Sequence, residues 1–310
     1  MFVQSDNQLG NTVTVYDRGA DGSLTPAGAP YATGGLGGQL DGSVGDYLAS
    51  EGSLVYDQSH GLLFAVNAGS DTVSVFAVRG SELAPLQVLS SGGSFPVGIA
   101  VHGNLVYVVN ALDGGSLQGY LIAFDRLIPL PGSTRSLGLA VVSGPMQYVN
   151  TPGEVAFTPD GSRLIVTTKD NGDDIDVFNV DRFGELSATT VVNSEPATVP
   201  FGFVFDPAGR LQVTEAGPSD VATFSLAPNG TLAQLATVAT GQPATCWITA
   251  DGPYLYASNA GGPSLSTISI APWGSSLRCS PRRRPTRGAS TPQPRRTGAS
   301  STPRPAGRES

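Results

Sequence analysis

The chain has one lysine (Lys169), two histidines, two cysteines and two methionines in 310 residues. Each scarcity excludes something. Cys246 and Cys279 cannot build a disulfide framework or a four-cysteine zinc site. His60 and His102 both sit in a His-Gly turn, where units described below place Asp160-Gly161, Ala208-Gly209 and Asp251-Gly252. They read as turn residues, so no Ser-His-Asp set and no histidine metal site is expected. No 18-residue apolar run is present, which excludes a membrane-spanning helix. Helical periodicity is missing, and so are a G-x-S-x-G elbow and a G-x-G-x-x-G turn between strand and helix. "DNGDDID" (170–176) lacks the spacing and terminal Glu of an EF-hand loop. No metal and no cofactor is expected.

Charge is sparse, at 14% of residues, and unevenly divided. Of 17 Lys+Arg, nine arginines lie in residues 278–310 beside a single acid, Glu309. The first 277 residues therefore hold 8 cations and 24 acids. A body that acidic is a poor partner for nucleic acid or anionic lipid, and neither is expected as a partner. Residues 278–310 contain six prolines and no Val, Ile, Leu, Met, Phe, Tyr or Trp, so they are expected to be a disordered Arg/Pro-rich tail after a domain spanning 1–277. So abrupt a change is also what a reading-frame shift in the gene would produce. No basic-then-apolar leader opens the sequence; a cytoplasmic location is expected, or export if an upstream signal has been lost.

What is abundant is glycine (40), proline (24) and apolar residues (40%) arranged in a repeat. "HGLLFAVNAGSDTVSVF" (60–76), "DGSRLIVTTKDNGDDIDVF" (160–178), "AGRLQVTEAGPSDVATF" (208–224) and "DGPYLYASNAGGPSLSTI" (251–268) can be laid side by side. "HGNLVYVVNALDGGSLQGYLIAF" (102–124) is a fifth copy with a longer loop, and the opening residues fit from the second strand onward. Laying the copies side by side puts Asn67, Asn110, Lys169, Glu215 and Asn259 at the end of the second strand. The spacings are in the forties, apart from one insertion near 125–148. Period-two alternation and such spacing predict an all-β fold, a β-propeller of four-stranded blades. Six blades are recognisable of an expected seven, with the ring incomplete. An open ring would leave strand edges unpaired, which predicts self-association.

Loops entering the first strand of each blade and loops leaving the second share one face, around the central channel. Pro96, Pro152, Pro200 and Pro243 precede first strands; two residues on come Gly98, Glu154, Gly202 and Thr245. Where the repeat departs into charge, a site is expected: Glu154 and Glu215 as general bases if desolvated, and Lys169 as a point charge for an anionic group. Asn67, Asn110, Asn259 and Thr245 are the expected ligand-binding residues. The Gly-rich loop 33–51 enters from the same face, either as a cover for the channel or as a plain connector. Cys246, beside Trp247, reads as a small buried apolar residue.

"TPGEVAFTPDGSRLIVTTKDNGDDIDVF" and "VPFGFVFDPAGRLQVTEAGPSDVATF" resemble the bacterial lactonase family of seven-bladed propellers, which includes 6-phosphogluconolactonase-like and carboxymuconate-lactonising proteins. The resemblance covers about residues 1–270. It implies a lactone hydrolase acting at the channel mouth on a small-molecule lactone, and it carries over Glu215. The Arg-His pair of family enzymes is replaced here by Phe201-Gly202 and Gly153-Glu154. That replacement keeps open the alternative of a non-catalytic propeller binding a small ligand, glycan or protein on its loop face.

Overall fold

The computed structural model describes residues 1–270, together with the backbone of residues 278–283. Six antiparallel sheets follow one another along the chain. The second runs Leu54–Asp57, Leu62–Asn67, Thr72–Arg79, Glu82–Ser90 from channel to rim, each strand pairing with the next in sequence. The fourth (Val155–Phe157, Arg163–Thr167, Asp174–Asn179, Val191–Ser194) and fifth (Pro200–Phe205, Leu211–Glu215, Asp220–Leu226, Leu232–Ala239) repeat this order. The sixth is Thr245–Asp251, Tyr254–Asn259, Ser264–Ser269 and Arg278–Arg283. Thus the first residues of the Arg/Pro-rich segment supply an outer strand; residues 284–310 of the expected tail lie outside the described residues.

The third sheet (Pro96–His102, Leu105–Asn110, Ser116–Ala123) has an outer edge broken into Arg126–Pro129 and Arg135–Ser136. The insertion near 125–148 therefore completes this sheet before running on to a short 3-10 turn, Gln147–Val149, at the channel mouth. The first sheet has Phe2–Gln4 and Thr12–Arg18, with both Leu24–Pro26 and Tyr31–Ala32 on the far side of Thr12–Arg18. Phe2–Gln4 holds the second-strand place, as the repeat predicts, and among the described residues no strand fills the inner place.

Sheet stacking explains the burial pattern. Leu62–Asn67 is buried at every position, because a strand with a sheet on each side hides both faces. The outer strand Glu82–Ser90 mixes exposed and half-buried positions instead. Each apolar cluster draws on neighbouring sheets: Val13, Val15, Leu63 and Phe76 join the first to the second; Ile165, Val177, Phe203 and Val213 the fourth to the fifth; Val221, Ile248 and Leu255 the fifth to the sixth.

One repeated device positions the mouth loops. After the second strand, Asp71, Asp173 and Ser219 take left-handed backbone conformations (φ 53°, 56° and 66°). Each side chain accepts amides from the loop that enters the next blade: Asp71 from Phe95 at 2.7 Å, Asp173 from Ala197 and Val199 at 2.9 Å, Ser219 from Ala244 at 2.9 Å. A short polar side chain tolerates that backbone and satisfies loop donors that the sheets leave unpaired. Asp173 of the acidic "DNGDDID" turn is therefore a staple between blades.

Candidate functional site

A cavity of about 810 Å³ opens at the mouth of the channel, over the fourth to sixth blades. Its walls include Val44, Asp46, Ala49, Tyr148, Lys169, Val199, Phe201, Ala216, Ala244, Cys246, Trp247 and Ala260. This is the face that the repeat predicts. Phe201 and Trp247 meet edge-to-face at 5.3 Å between centroids, and the Lys169 ammonium stands 5.4 Å from the Phe201 centroid.

Strand pairing corrects the sequence alignment by one residue. Asn67 faces Thr72, Asn110 faces Ser116, Glu215 faces Asp220 and Asn259 faces Ser264. In the fourth blade the residue bonded to the start of the third strand is Thr168, whose amide reaches the Asp174 carbonyl. Lys169 therefore occupies the place of Ala68, Ala111, Ala216 and Ala260. The slip went unseen because "VTTKDNG" is more polar than its counterparts. In a β strand one residue of register exchanges the two faces, so the outlier charge turns to the mouth while the expected binding residues turn into the blade.

Asn67, Asn110, Asn259 and Thr245 are accordingly buried, and none lines the cavity. The Asn67 amide donates to Ser74 at 2.8 Å; that of Asn110 reaches the Ser91 carbonyl at 3.3 Å. Asn259 donates to Ser266 and accepts from Thr245 at 2.8 Å. They close the turns between second and third strands, where buried polar groups need partners.

The three expected catalytic groups are not brought together. Lys169 is 1% exposed, and its Nζ donates to the carbonyls of Ala49 (2.7 Å) and Tyr148 (2.5 Å) and to Thr151 Oγ1 (2.9 Å). All three hydrogens of the ammonium are thereby engaged. Burial pushes its pKa down to about 7, against the opposing charges of Asp46 and Cys246. Glu215 is buried in the amide slot against Asp220 rather than in the cavity wall, and desolvation plus that partner push its pKa up to about 9. Glu154 lies deeper in the channel, where its carboxylate accepts the Phe203 amide at 2.5 Å.

Sequence reasoning missed Glu51, Asp46 and Tyr148. The Gly-rich loop 33–51 enters the channel. Glu51 N donates to the Gly153 carbonyl, and Glu51 Oε2 accepts the Ile248 amide at 3.1 Å; the Ser50 carbonyl accepts Trp247 Nε1 at 3.0 Å. Burial raises the Glu51 pKa to about 7, and burial together with the Glu51 charge raises that of Glu154 well above the ordinary carboxylate value. Asp46 caps the loop by accepting the amides of Leu48 and Ser50 at 3.0 Å, and among the described residues it is the one carboxylate of the cavity wall. Tyr148 lines the cavity from the 3-10 turn, and its hydroxyl has no hydrogen-bond partner among the described residues. Glu51 and Asp46 carry no repeat signal, since they lie in an entry loop that has no counterpart in the other blades.

Groups of three or more His, Cys, Asp or Glu able to hold a metal ion are absent among the described residues. No helix among them is long and apolar enough to cross a membrane. The histidines are remote from the cavity wall: His60 bonds Asn104 Oδ1 at 2.9 Å, and His102 packs against Phe157.

The sequence matches the family model described as lactonase, 7-bladed beta-propeller, over residues 43–297, which crosses the boundary drawn at 277. The uncharacterized protein YwcC of Lactococcus lactis subsp. lactis (strain IL1403) is 29% identical over 131 residues, covering 39% of this chain and 38% of YwcC. An uncharacterized protein of Lactococcus lactis subsp. cremoris (strain MG1363) is 26% identical over 227 residues, 69% of this chain and 64% of its own length. The chain thus spans less than two thirds of the length of either relative. The structure resembles that of a candidate 6-phosphogluconolactonase from Bacteroides fragilis (TM-score 0.69, 19% identity, 88% of this chain and 78% of that one). It likewise resembles the periplasmic gluconolactonase PpgL of Pseudomonas aeruginosa (TM-score 0.68, 21% identity, 88% and 78%). At such identities the likeness is one of fold. With the family model covering most of its length and six propeller sheets in place, the chain belongs to the lactonase family of seven-bladed β-propellers.

Proposed function

We propose that the chain hydrolyses a lactone in the mouth cavity, with Asp46 as general base and Tyr148 as donor to the ester carbonyl. The observation that carries this reading is the placement of Asp46 in the wall of a concave, mainly apolar cavity on the loop face of a lactonase-family propeller. Two backbone amides hold the Asp46 carboxylate in place, and its remaining lone pairs are free for a water. Asp46 takes a proton from that water as the water oxygen bonds to the lactone carbonyl carbon. The ring C–O bond then breaks, and the proton passes to the departing alkoxide, which gives the open hydroxy acid. The Tyr148 O–H favours the oxyanion that develops on the carbonyl oxygen. The Lys169 ammonium, with its hydrogens committed, adds field rather than contact.

The test is ring opening across a lactone panel, with wild type beside Asp46→Asn and Tyr148→Phe. A general base contributes about 10²- to 10⁴-fold, so Asp46→Asn is expected to lower kcat by at least two orders of magnitude with the fold intact. Unchanged turnover in that variant rejects the assignment. Binding without turnover is the second reading; the committed Lys169 hydrogens and the remote histidines favour it, and a folded wild type that opens no lactone above background establishes it.

A further inference from the structure

We propose that the ligand of this cavity is uncharged and has an apolar or aromatic body, a hydrophobic lactone rather than a sugar lactone or its phosphate. The word "lactone" rests on the reading above; the demand for an apolar, neutral body stands on the cavity alone.

Three observations point the same way. The first is the wall. Val44, Val149, Val199, Phe201 and Trp247 line it, and the mouth slot that Lys169 fills in the fourth blade holds only a methyl group at Ala216 and Ala260. A polyhydroxylated ring placed there would give up water without recovering hydrogen bonds: the Trp247 N–H is already used on the Ser50 carbonyl, and the Ser43 hydroxyl on Leu40. Asp46 and Tyr148 suffice for one ester group, not for several hydroxyls.

The second is charge. Among the described residues no arginine lines the cavity, and the one cation among them that does, Lys169, has all three hydrogens bonded to protein oxygens. A phosphate dianion would therefore meet no free donor of positive charge among the described residues. It would instead share the cavity with the Asp46 carboxylate, on a body in which acids outnumber cations by 24 to 8.

The third is size and access. At about 810 Å³ the cavity falls within the range of roughly 300–1,000 Å³ that takes a drug-sized molecule, well beyond a bare lactone ring, so the lactone has a fused ring or an alkyl chain. Val44, at the rim, is 94% exposed, an apolar side chain held in water beside the entrance. Its place suits a ligand whose apolar part extends to the mouth.

The experiment uses the full chain carrying Trp273→Phe, which leaves Trp247 as the one tryptophan. Trp247 fluorescence is titrated with dihydrocoumarin, with its lactam analogue (which resists opening), with glucono-δ-lactone and with 6-phosphogluconolactone, while ring opening is followed by pH-stat. The two aromatic ligands are expected to bind at least tenfold more tightly than either sugar lactone. Ala216→Arg, which sets a free cation in a mouth slot, is expected to narrow the gap towards the phosphorylated ligand. Equal or tighter binding of 6-phosphogluconolactone by the Trp273→Phe chain overturns the inference, as does absence of aromatic-ligand binding. If dihydrocoumarin binds without being opened, the inference stands and the hydrolase reading falls. If sugar lactones alone are opened, the hydrolase reading stands and the inference falls.

Discussion

Glu51 Oε2 accepts the backbone amide of Ile248 at 3.1 Å, joining residues 197 positions apart across the channel. The entry loop of the second blade is thereby fastened to the inner strand of the sixth. Glu154, whose carboxylate is raised in pKa partly by the Glu51 charge, lies in the same channel. Two carboxyls so close in a desolvated space favour holding a proton.

Stability is therefore expected to fall as pH rises from about 4.5 to 7. In that window the unfolded chain has released the Glu51 proton while the folded chain retains it, because the folded pKa is about 7 against an ordinary 4.5. Asp176, pushed up to about 7 chiefly by burial, acts in the same direction. Glu51→Gln keeps an oxygen for the Ile248 amide and removes the charge. It is expected to leave stability at pH 5 unchanged and to raise it at pH 8, by on the order of 2 kcal/mol. Urea denaturation across this pH range measures both; a variant that tracks wild type throughout contradicts the assignment.

A methyl group at Gly202 would lie 2.3 Å from Glu51 Oε2 and 2.9 Å from the Cys246 carbonyl. Gly98, in the matching place of the third blade, would bring one to 3.1 Å from the Glu51 carbonyl oxygen. These glycines mark where the loop crosses the inner strands. Gly202→Ala is expected to cost about 1–3 kcal/mol through overpacking. It is also expected to open the 41–51 loop to protease before the sheets melt. Limited proteolysis beside thermal melting checks this, and Gly28→Ala, exposed and with open space where the methyl group would go, serves as the control without a neighbouring loop.

The blades were legible because their signal is repeated: alternation, His-Gly or Asp-Gly turns and prolines before the inner strands each recur. The face carrying the cavity followed from the same register. The side chains did not, because Asn67, Asn110 and Asn259 mark a slot whose neighbour, not itself, faces the mouth. Lys169 departs from its repeat slot, but in that slot it replaces alanine rather than asparagine. Asp46, Glu51 and Tyr148 come from two non-repeating segments, the 33–51 loop and the insertion ending at Gln147–Val149, whose path depends on tertiary bonds such as Asp41 N to Gln147 Oε1 at 2.9 Å. No internal comparison within the chain can place such residues.

Lys169 joins the entry loop to the 3-10 turn through Ala49, Tyr148 and Thr151. Lys169→Met fills the same volume and leaves those oxygens without a donor. A loss of about 2 kcal/mol is expected, with water from the cavity covering part of the deficit. The deficit grows with pH: the folded pKa of about 7 lies below the ordinary 10.5, so the unfolded wild type holds a proton that the folded wild type has shed. Wild-type stability therefore gains from this group between pH 7 and about 10, and the variant cannot. Denaturation at pH 7 and pH 9 reads the difference. A variant of full stability and low turnover would instead make Lys169 a catalytic group.

Glu215 and Asp220 face each other across the second and third strands of the fifth blade, and Glu215 Oε1 and Asp220 Oδ1 are buried with no donor. Folding raises both pKa values, so this pair favours holding a proton and loses stability as pH climbs through the range below about 9. Glu215→Gln places an N–H donor where that proton is needed, as Asn67, Asn110 and Asn259 do in their blades. The expected result is a gain in stability at pH 8 of about 1–2 kcal/mol, read from denaturation, with lactone turnover within twofold of wild type. Asp46→Asn is expected to do the reverse, removing turnover at a small cost in stability, since Asn keeps an acceptor for only one of the two loop amides. Loss of turnover in Glu215→Gln with an intact fold would move the chemistry from the cavity wall into the amide slot of the fifth blade.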